Sequence, residues 1–248
     1  MNAPADDQDA CQAGDRIAKW LARAGVASRR DAEKLVADGQ VTLNNALVTH
    51  PATFVTPGDL VVVGGKLIDP PQRTRLWRYH KPDGLVTTHK DPQGRPTVFE
   101  KMPPDMARVI SIGRLDLNSE GLLLLTNDGA LARQLELPTT GWLRRYRVRV
   151  HGVVDAKRLA DLARGLIIDG TKYGPIEAEL DSVNGSNAWL SVSLREGKNR
   201  EIRRVMQHLG LHTTRLIRLA YGPFQLGTLS RGQVSEVPPR VLRDQLPK

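Results

Sequence analysis

The chain has 248 residues, enough for one large domain or a small one plus a larger one, either able to bury a core. It is 40% hydrophobic and 25% charged, as soluble globular proteins are, but 36 Lys and Arg against 27 Asp and Glu leave a formal charge of +9, which points to a polyanionic partner. One cysteine, Cys11, excludes an intramolecular disulfide and a cysteine-based metal site; the six histidines, with no H-x-x-H arrangement, argue against zinc, and no apolar run nears the ~18 residues of a membrane span.

Residues 1–13 are acidic and polar, without the apolar centre of a signal peptide, so a disordered tail over residues 1–14 and a reducing, cytoplasmic setting are expected. Ile17, Leu21 and Ala24 recur at helical spacing, and Gly25 supplies the left-handed residue that ends a helix. Ser28 is placed to cap a second helix through Ala32, Leu35 and Val36, which stops near Asp38-Gly39. VTLNNALV and LVVV then read as strands, with turns at Asn44-Asn45 and Pro57-Gly58-Asp59. Residues 64–74, GGKLIDPPQRT, have the glycines and prolines of a linker. The reading is a disordered tail over 1–14, a small domain over 15–63, a linker over 64–74 and a larger domain over 75–248.

In the small domain Arg16, Lys19 and Arg23 share one helical face, and Arg29 and Arg30 stand at the entrance to the second helix. A solvated charged face is the ordinary reason for such a run. Five cations over about two turns with few acids nearby also suit phosphates, each contact adding to the salt sensitivity of binding. The order of RIAKWLARAGVASRRDAEKLVADGQVTLNN, residues 16–45, resembles the small αL-type RNA-binding module first named for a small-subunit ribosomal protein.

The larger segment alternates strand patterns (76–80, 85–89, 108–112, 121–126, 145–152, 176–183, 189–194, 213–222) with helical ones after Asn127-Asp128-Gly129, at 156–165 and at 199–210. Strands outnumber helices and many adjoin short turns. An α+β fold is expected: the small two-helix domain, then a domain built on a largely antiparallel mixed sheet flanked by helices.

Four motifs stand out there. HKPDGLVTTHKDPQGRPTV (80–98) is a strand leading into a turn-dense loop. GRLDLNSEGLLLLTNDG (113–129) sets Asp116 just after Arg114 in a glycine-bounded loop, ahead of four leucines that read as a buried strand; spacing alone leaves open whether the carboxylate is catalytic or one half of a structural Arg–Asp clamp. In RRYRVRV (144–150) alternation sends Tyr146, Val148 and Val150 to one face and Arg145, Arg147 and Arg149 to the other, so Tyr146 is either core or, at a cleft, a platform for a base. REGKNREIRR (195–204) loads a helix start with cations against the helix dipole, which suggests an anionic partner, either phosphates or a buried carboxylate. Arg114, Lys198, Arg200 and Arg204 join the five cations of the small domain as candidate RNA contacts. Asp128 fits a helix N-cap and Glu120 a structural role.

KPDGLV, GRLDLNSEGLLLLTNDG, the Tyr146 strand, EGKNREIRRV and RLIRLAYG together resemble the bacterial ribosomal-RNA pseudouridine synthases of the RsuA/RluB branch, over about residues 15–235. The resemblance implies isomerisation of a uridine within RNA to pseudouridine, without metal or organic cofactor. It implies that Asp116 is the essential catalytic residue, and that Tyr146 and Arg203 line the flipped base and pair with the catalytic carboxylate. That chemistry asks for these residue types. Breaking the bond from uracil to ribose needs a group that attacks or deprotonates the sugar, which an ionised carboxylate does and a neutral group does not. An adjacent arginine keeps such a carboxylate ionised in a desolvated pocket. Flipping a nucleotide costs a few kcal/mol, and stacking on Tyr146 returns roughly 1–3 kcal/mol. Sequence leaves open whether Asp116 forms a sugar ester or abstracts a sugar proton.

The expected partner is ribosomal RNA or a pre-ribosomal particle, with large-subunit RNA favoured because EGKNREIRRV and RLIRLAYG resemble that branch; no membrane and no metal are expected, and a monomer suffices. Arg144-Arg145 is more basic than the corresponding pair in many relatives, and no long basic tail follows PPRVLRDQLPK, so recognition is expected from the folded domains. A different class, an RNA-binding assembly factor without catalysis, is the alternative. A glycosidase would require a second placed carboxylate.

Overall fold

The computed structural model describes residues 14–246, so the tail expected over residues 1–14, Gly14 apart, and Cys11 lie outside the described residues. The chain forms two compact units, the first ending at Arg73 and the second beginning at Thr74.

In the first unit the elements are β1 (Asp15–Arg16), α1 (Ile17–Arg23), α2 (Arg29–Ala37), β2 (Val41–Leu43), β3 (Ala46–Leu47), β4 (Phe54–Val55), β5 (Val61–Val63) and β6 (Lys66–Leu67). Ile17 and Leu21 of α1 and Ala32 and Val36 of α2 close on Val41, Val55 and Val61 of the strands, as the helical spacing requires. Ser28 caps α2, its Oγ accepting the Asp31 amide at 3.1 Å. Asn44 and Asn45 both adopt positive φ and close β2 onto β3, and the Asn44 side chain accepts the Leu60 amide at 2.9 Å. The start of the expected linker proves to be structured. Gly64 and Gly65, both at positive φ, make a two-residue turn that pairs β6 with β5. A glycine pair reads equally well as a flexible joint or as this hairpin turn, and only the pairing partner distinguishes them.

The second unit carries β7 (Leu76–Lys81), β8 (Ile110–Ile112), β9 (Glu120–Thr126), α3 (Gly129–Glu136), β10 (Arg144–His151), α4 (Ala156–Asp161), β11 (Leu166–Ile168), β12 (Thr171–Tyr173), β13 (Ile176–Asn184), β14 (Asn187–Leu194), α5 (Glu201–His208), β15 (His212–Tyr221), β16 (Phe224–Gln225), β17 (Val234–Glu236) and α6 (Pro239–Gln245). Nine strands form one sheet with the central order β13-β14-β10-β15-β9-β7-β17, to which β16 adds on β15 and β8 on β9. Every pairing is antiparallel except β15 with β9, so the fold is α+β on a largely antiparallel mixed sheet.

The four leucines of β9 are all fully buried because both faces of that strand are covered. Leu122 and Leu124 pack with Leu131 and Leu135 of α3, while Leu123 and Leu125 pack with Trp77, Tyr79, Val98 and Leu115. A two-sided strand reads as an unbroken apolar run rather than an alternation. On β10 the alternation holds: Val148 and Val150 enter a core with Ile202, Val205 and Met206 of α5, and Arg145, Arg147 and Arg149 are exposed. Asp128 caps α3, its side chain accepting the Ala130 amide at 2.8 Å.

One expected strand is absent. Residues 85–89 make only a single bridge, Val86 to Thr97, because Pro96 before it lacks the donor a ladder needs and Phe99–Lys101 after it turns into a 3-10 helix. The β11–β12 hairpin on the Asp169-Gly170 turn and α6, which begins at a proline, were not expected from the sequence, although both turn and proline are there to be read.

Candidate active site

Residues 113–119 form the loop between β8 and β9, and the structure fastens it from several directions. Gly113 donates its amide to Glu136 at the end of α3 (2.6 Å), Thr87 Oγ1 donates to the Leu115 carbonyl (2.9 Å), and Gly84 donates to that of Leu117 (2.9 Å). Beneath the loop lies Lys81, fully buried at the end of β7. Its ammonium donates to the carbonyls of Pro82, Leu117 and Ser119 at 3.0, 3.3 and 2.9 Å, and burial pulls its pKa down to about 8. Sequence reasoning took the segment around Lys81 as a connector. The missed signal is a lysine continuing the inward-facing positions of a buried strand.

The loop presents Asp116 to a cleft of about 530 Å³ whose walls include Arg114, Arg144, Tyr146, Arg200, Leu216, Arg218 and Tyr221. Tyr146 projects from β10 on the same face as Val148 and is half-buried. The carboxylate of Asp116 meets Arg200, Nη1 lying 3.6 Å from Oδ2. Arg200 precedes α5 with φ +51°, a left-handed conformation that costs a non-glycine residue about 1–2 kcal/mol. Its turn is closed by the Lys198 amide donating to Glu201 Oε2 at 2.8 Å.

Arg203, expected to pair with Asp116, sits one helical turn on and does something else. Its Nη2 donates to the Asn118 carbonyl at 2.8 Å and its Nη1 to that of Thr213 at 3.2 Å, tying α5 to both the loop and β15. Burial, then repulsion from Arg200, lowers its pKa. The ion pair to Asp116 therefore belongs to the neighbouring arginine, which stands at the left-handed N-cap of α5, while Arg203 within the helix is spent on the Asn118 and Thr213 carbonyls.

The other expected cations distribute unevenly. Arg114 is exposed at the cleft. Lys198 lines the cleft too, but its ammonium is held by Glu196 at 2.5 Å and by the Lys172 carbonyl at 2.7 Å. Arg204 is exposed on α5 and borders a different depression, with Tyr173 and Asp169. In the first unit Arg16, Arg29 and Arg30 are exposed, whereas Lys19 and Arg23 pair with Asp15 at 2.6 and 3.2 Å.

Two carboxylates near the cleft have clear structural attachments. Glu120 is buried between Arg215 (2.6 Å) and Arg231 (2.7 Å), and the Arg215 hydrogen bond lowers its pKa. Glu201, also buried, has its pKa pushed up to about 8 by desolvation and then by the carboxyl of Glu196. Arg144 closes one end of the cleft, its Nη2 donating to Tyr221 Oη at 3.0 Å while its guanidinium lies 4.7 Å from the Tyr221 ring centroid. Arg218 enters from β15 and is almost wholly buried. Neither Arg218 nor Tyr221 was singled out from the sequence, although both lie in RLIRLAYG, which carried the family likeness only as a whole motif.

Residues 75–208 match the family model for RNA pseudouridylate synthase, and residues 15–61 match the S4 domain. An RNA pseudouridine synthase of Rickettsia felis is 50% identical over 227 residues, covering 92% of this chain and 98% of the relative. Ribosomal large subunit pseudouridine synthase B of Salmonella typhi is 40% identical over 230 residues, covering 90% and 79%. A solved pseudouridylate synthase shares the fold, with a TM-score of 0.64 at 23% identity over 94% of this chain and all of that one. The class is thus an RNA-modifying isomerase that carries an S4 domain ahead of its catalytic fold. The chain belongs to the RNA pseudouridylate synthase family.

Proposed function

We propose that the protein converts a uridine of ribosomal RNA, in the large subunit, to pseudouridine, acting in the cytoplasm as a monomer on rRNA or a pre-ribosomal particle. The single observation that carries the reading is Asp116, fixed on a loop tied down by three separate elements and open to a cleft that also holds Tyr146. The choice of large-subunit RNA rests on the relative that is 40% identical and named for that subunit.

In this reading the target nucleotide leaves its stack and enters the cleft, where Tyr146 lies against the face of the base. The electron pair of the bond between N1 and C1′ departs with the uracil, and the Asp116 carboxylate answers the deficiency at the sugar, by bonding C1′ or by taking the 2′ proton. The uracil turns and its C5 bonds to C1′ as the carboxylate leaves C1′ or returns the proton to C2′; C5 then loses its proton and N1 gains one. Arg200 holds the carboxylate in place from one side, and Arg203 holds the loop through Asn118. The exposed Arg16, Arg29 and Arg30 of the small domain, with Arg114 at the cleft, take phosphates, which position the RNA without reading its sequence.

The test is a pseudouridine map of both ribosomal RNAs from cells lacking the gene, complemented with wild type or with Asp116→Asn. One missing site in large-subunit RNA, restored by wild type alone, is expected. An unchanged map overturns the enzyme reading, and restoration by Asp116→Asn overturns the role of the carboxylate and favours an assembly factor.

A further inference from the structure

Arg218 is a buried cation, only 3% exposed, with no carboxylate partner among the described residues. Its Nε donates to the Leu122 carbonyl at 2.7 Å and its guanidinium lies 5.2 Å from the Tyr221 ring centroid, but Nη2 has no hydrogen-bond partner among the described residues. Burying a charge without a counter-charge costs several kcal/mol, so a scaffold arginine of this kind is normally paired.

The backbone is specially arranged to put it there. Between Arg145–Ala220 and Tyr146–Arg218 the β10–β15 register slips by one residue, leaving Leu219 extra. Without that bulge Arg218 would oppose Arg147 and share its exposed face; with it, Arg218 shares the face of Tyr146 and lines the cleft. Across the sheet Gly121, at φ +101°, lets the Arg218 backbone come so close that a Cβ there would stand 2.3 Å from its carbonyl oxygen.

We propose that Arg218 is a further catalytic residue, whose free N–H groups stabilise the negative charge on a carbonyl oxygen of the uracil while it is detached from the sugar. The assignment rests on the isomerase reading above. When the N1–C1′ bond breaks, its electron pair spreads from N1 onto O2 and O4, giving a monoanion. A fixed cation at those oxygens strengthens its contact as that charge develops and relaxes when C5 returns a pair to C1′ and N1 is reprotonated.

The experiment compares full-length wild type, Arg218→Met, Arg218→Lys and Asp116→Asn on a transcript of the rRNA segment found by the mapping above, made with uridine or with 5-fluorouridine. Fluorine withdraws charge and stabilises the departing anion itself, so bond breaking then needs less help from the protein. Because C5 of that substrate has no proton to lose, consumption of the nucleoside in a single turnover is read. Arg218→Met is expected to slow the uridine reaction about 10²–10³-fold with an unchanged KM, and the 5-fluorouridine reaction by at least ~10-fold less. Arg218→Lys, with the charge but not the fork, should fall between. The ratio of the two rates within one variant is insensitive to the fraction correctly folded. An unchanged ratio, or a raised KM at full rate as for an arginine holding a phosphate, overturns the proposal. Full activity of Asp116→Asn would instead overturn the role of the carboxylate, and no conversion by wild type would bring down the isomerase reading beneath both.

Discussion

Arg200 Nη1 lies 3.6 Å from Asp116 Oδ2, and the residue that makes this contact is one of four non-glycine residues at positive φ among the described residues. Half of the Arg200 side chain and about a third of that of Asp116 remain exposed, so water screens the pair and it contributes little to stability. In the proposed reaction its use is orientation. A strained backbone that serves orientation is a stability cost retained for function. Arg200→Gly should therefore raise stability by up to about 1 kcal/mol while single-turnover pseudouridine formation falls at least ~10-fold, equivalent to about 1.4 kcal/mol of transition-state binding. Urea unfolding and rapid quench on the same preparation check both halves.

Glu201 is expected to make the unfolding of this protein pH-dependent in a recognisable direction. Its folded pKa is raised from 4.5 to about 8 by burial and by Glu196, so the folded state favours the protonated form. The associated stability is fully present below pH 4.5 and is lost as pH rises toward 8. Glu201→Gln cannot ionise and retains an acceptor for the Lys198 amide. Denaturation midpoints of variant and wild type should coincide near pH 4.5, with the variant increasingly the more stable up to pH 8.

Gly121 should tolerate no side chain. A Cβ would approach the Arg218 carbonyl oxygen to 2.3 Å and its amide nitrogen to 2.7 Å, and both neighbours are backbone that cannot swing aside. The only parallel pairing of the main sheet, β9 with β15, would have to open. Gly121→Ala should cost about 3 kcal/mol or more, counting both the clash and the positive φ, visible as a lower thermal midpoint and a loss of activity together.

The exposed arginines of the S4 domain should separate affinity from chemistry. Replacing Arg29 and Arg30, which stand at the start of α2, by glutamine should weaken RNA binding and reduce the salt slope of log K by about 0.7–0.9 for each phosphate left unneutralised. The single-turnover rate at saturating RNA should not change. Lys19→Gln should matter less, because that ammonium is already held by Asp15. Fluorescence anisotropy across a salt series reads the affinities and the slope, and rapid quench reads the rate.

Much of this was legible in the chain itself, and for identifiable reasons. Local rules act over a few residues: Ser28 and Asp128 cap helices, Asn44-Asn45 turns a hairpin, and alternation along Arg144–His151 sends Tyr146 inward. The leucine run announced a buried strand, and the motifs around Asp116 announced a family. What lay beyond reach were contacts that join distant segments. Lys81 under the loop meets the Leu117 and Ser119 carbonyls, and Glu120 sits between Arg215 and Arg231, partners that only the folded sheet brings near.

The amino-acid order by itself thus determined most of the elements, since propensity, capping and periodicity are properties of neighbouring residues, and through the family likeness it marked Asp116 as the carboxylate to propose for the chemistry. Only the tertiary structure decided which cations surround that side chain. A left-handed residue set Arg200, not Arg203, against Asp116, and a one-residue bulge turned Arg218 from the open face of the sheet into the cleft. Both choices turn on a register or a single torsion, and these are settled by packing between strands and helices far apart in the chain.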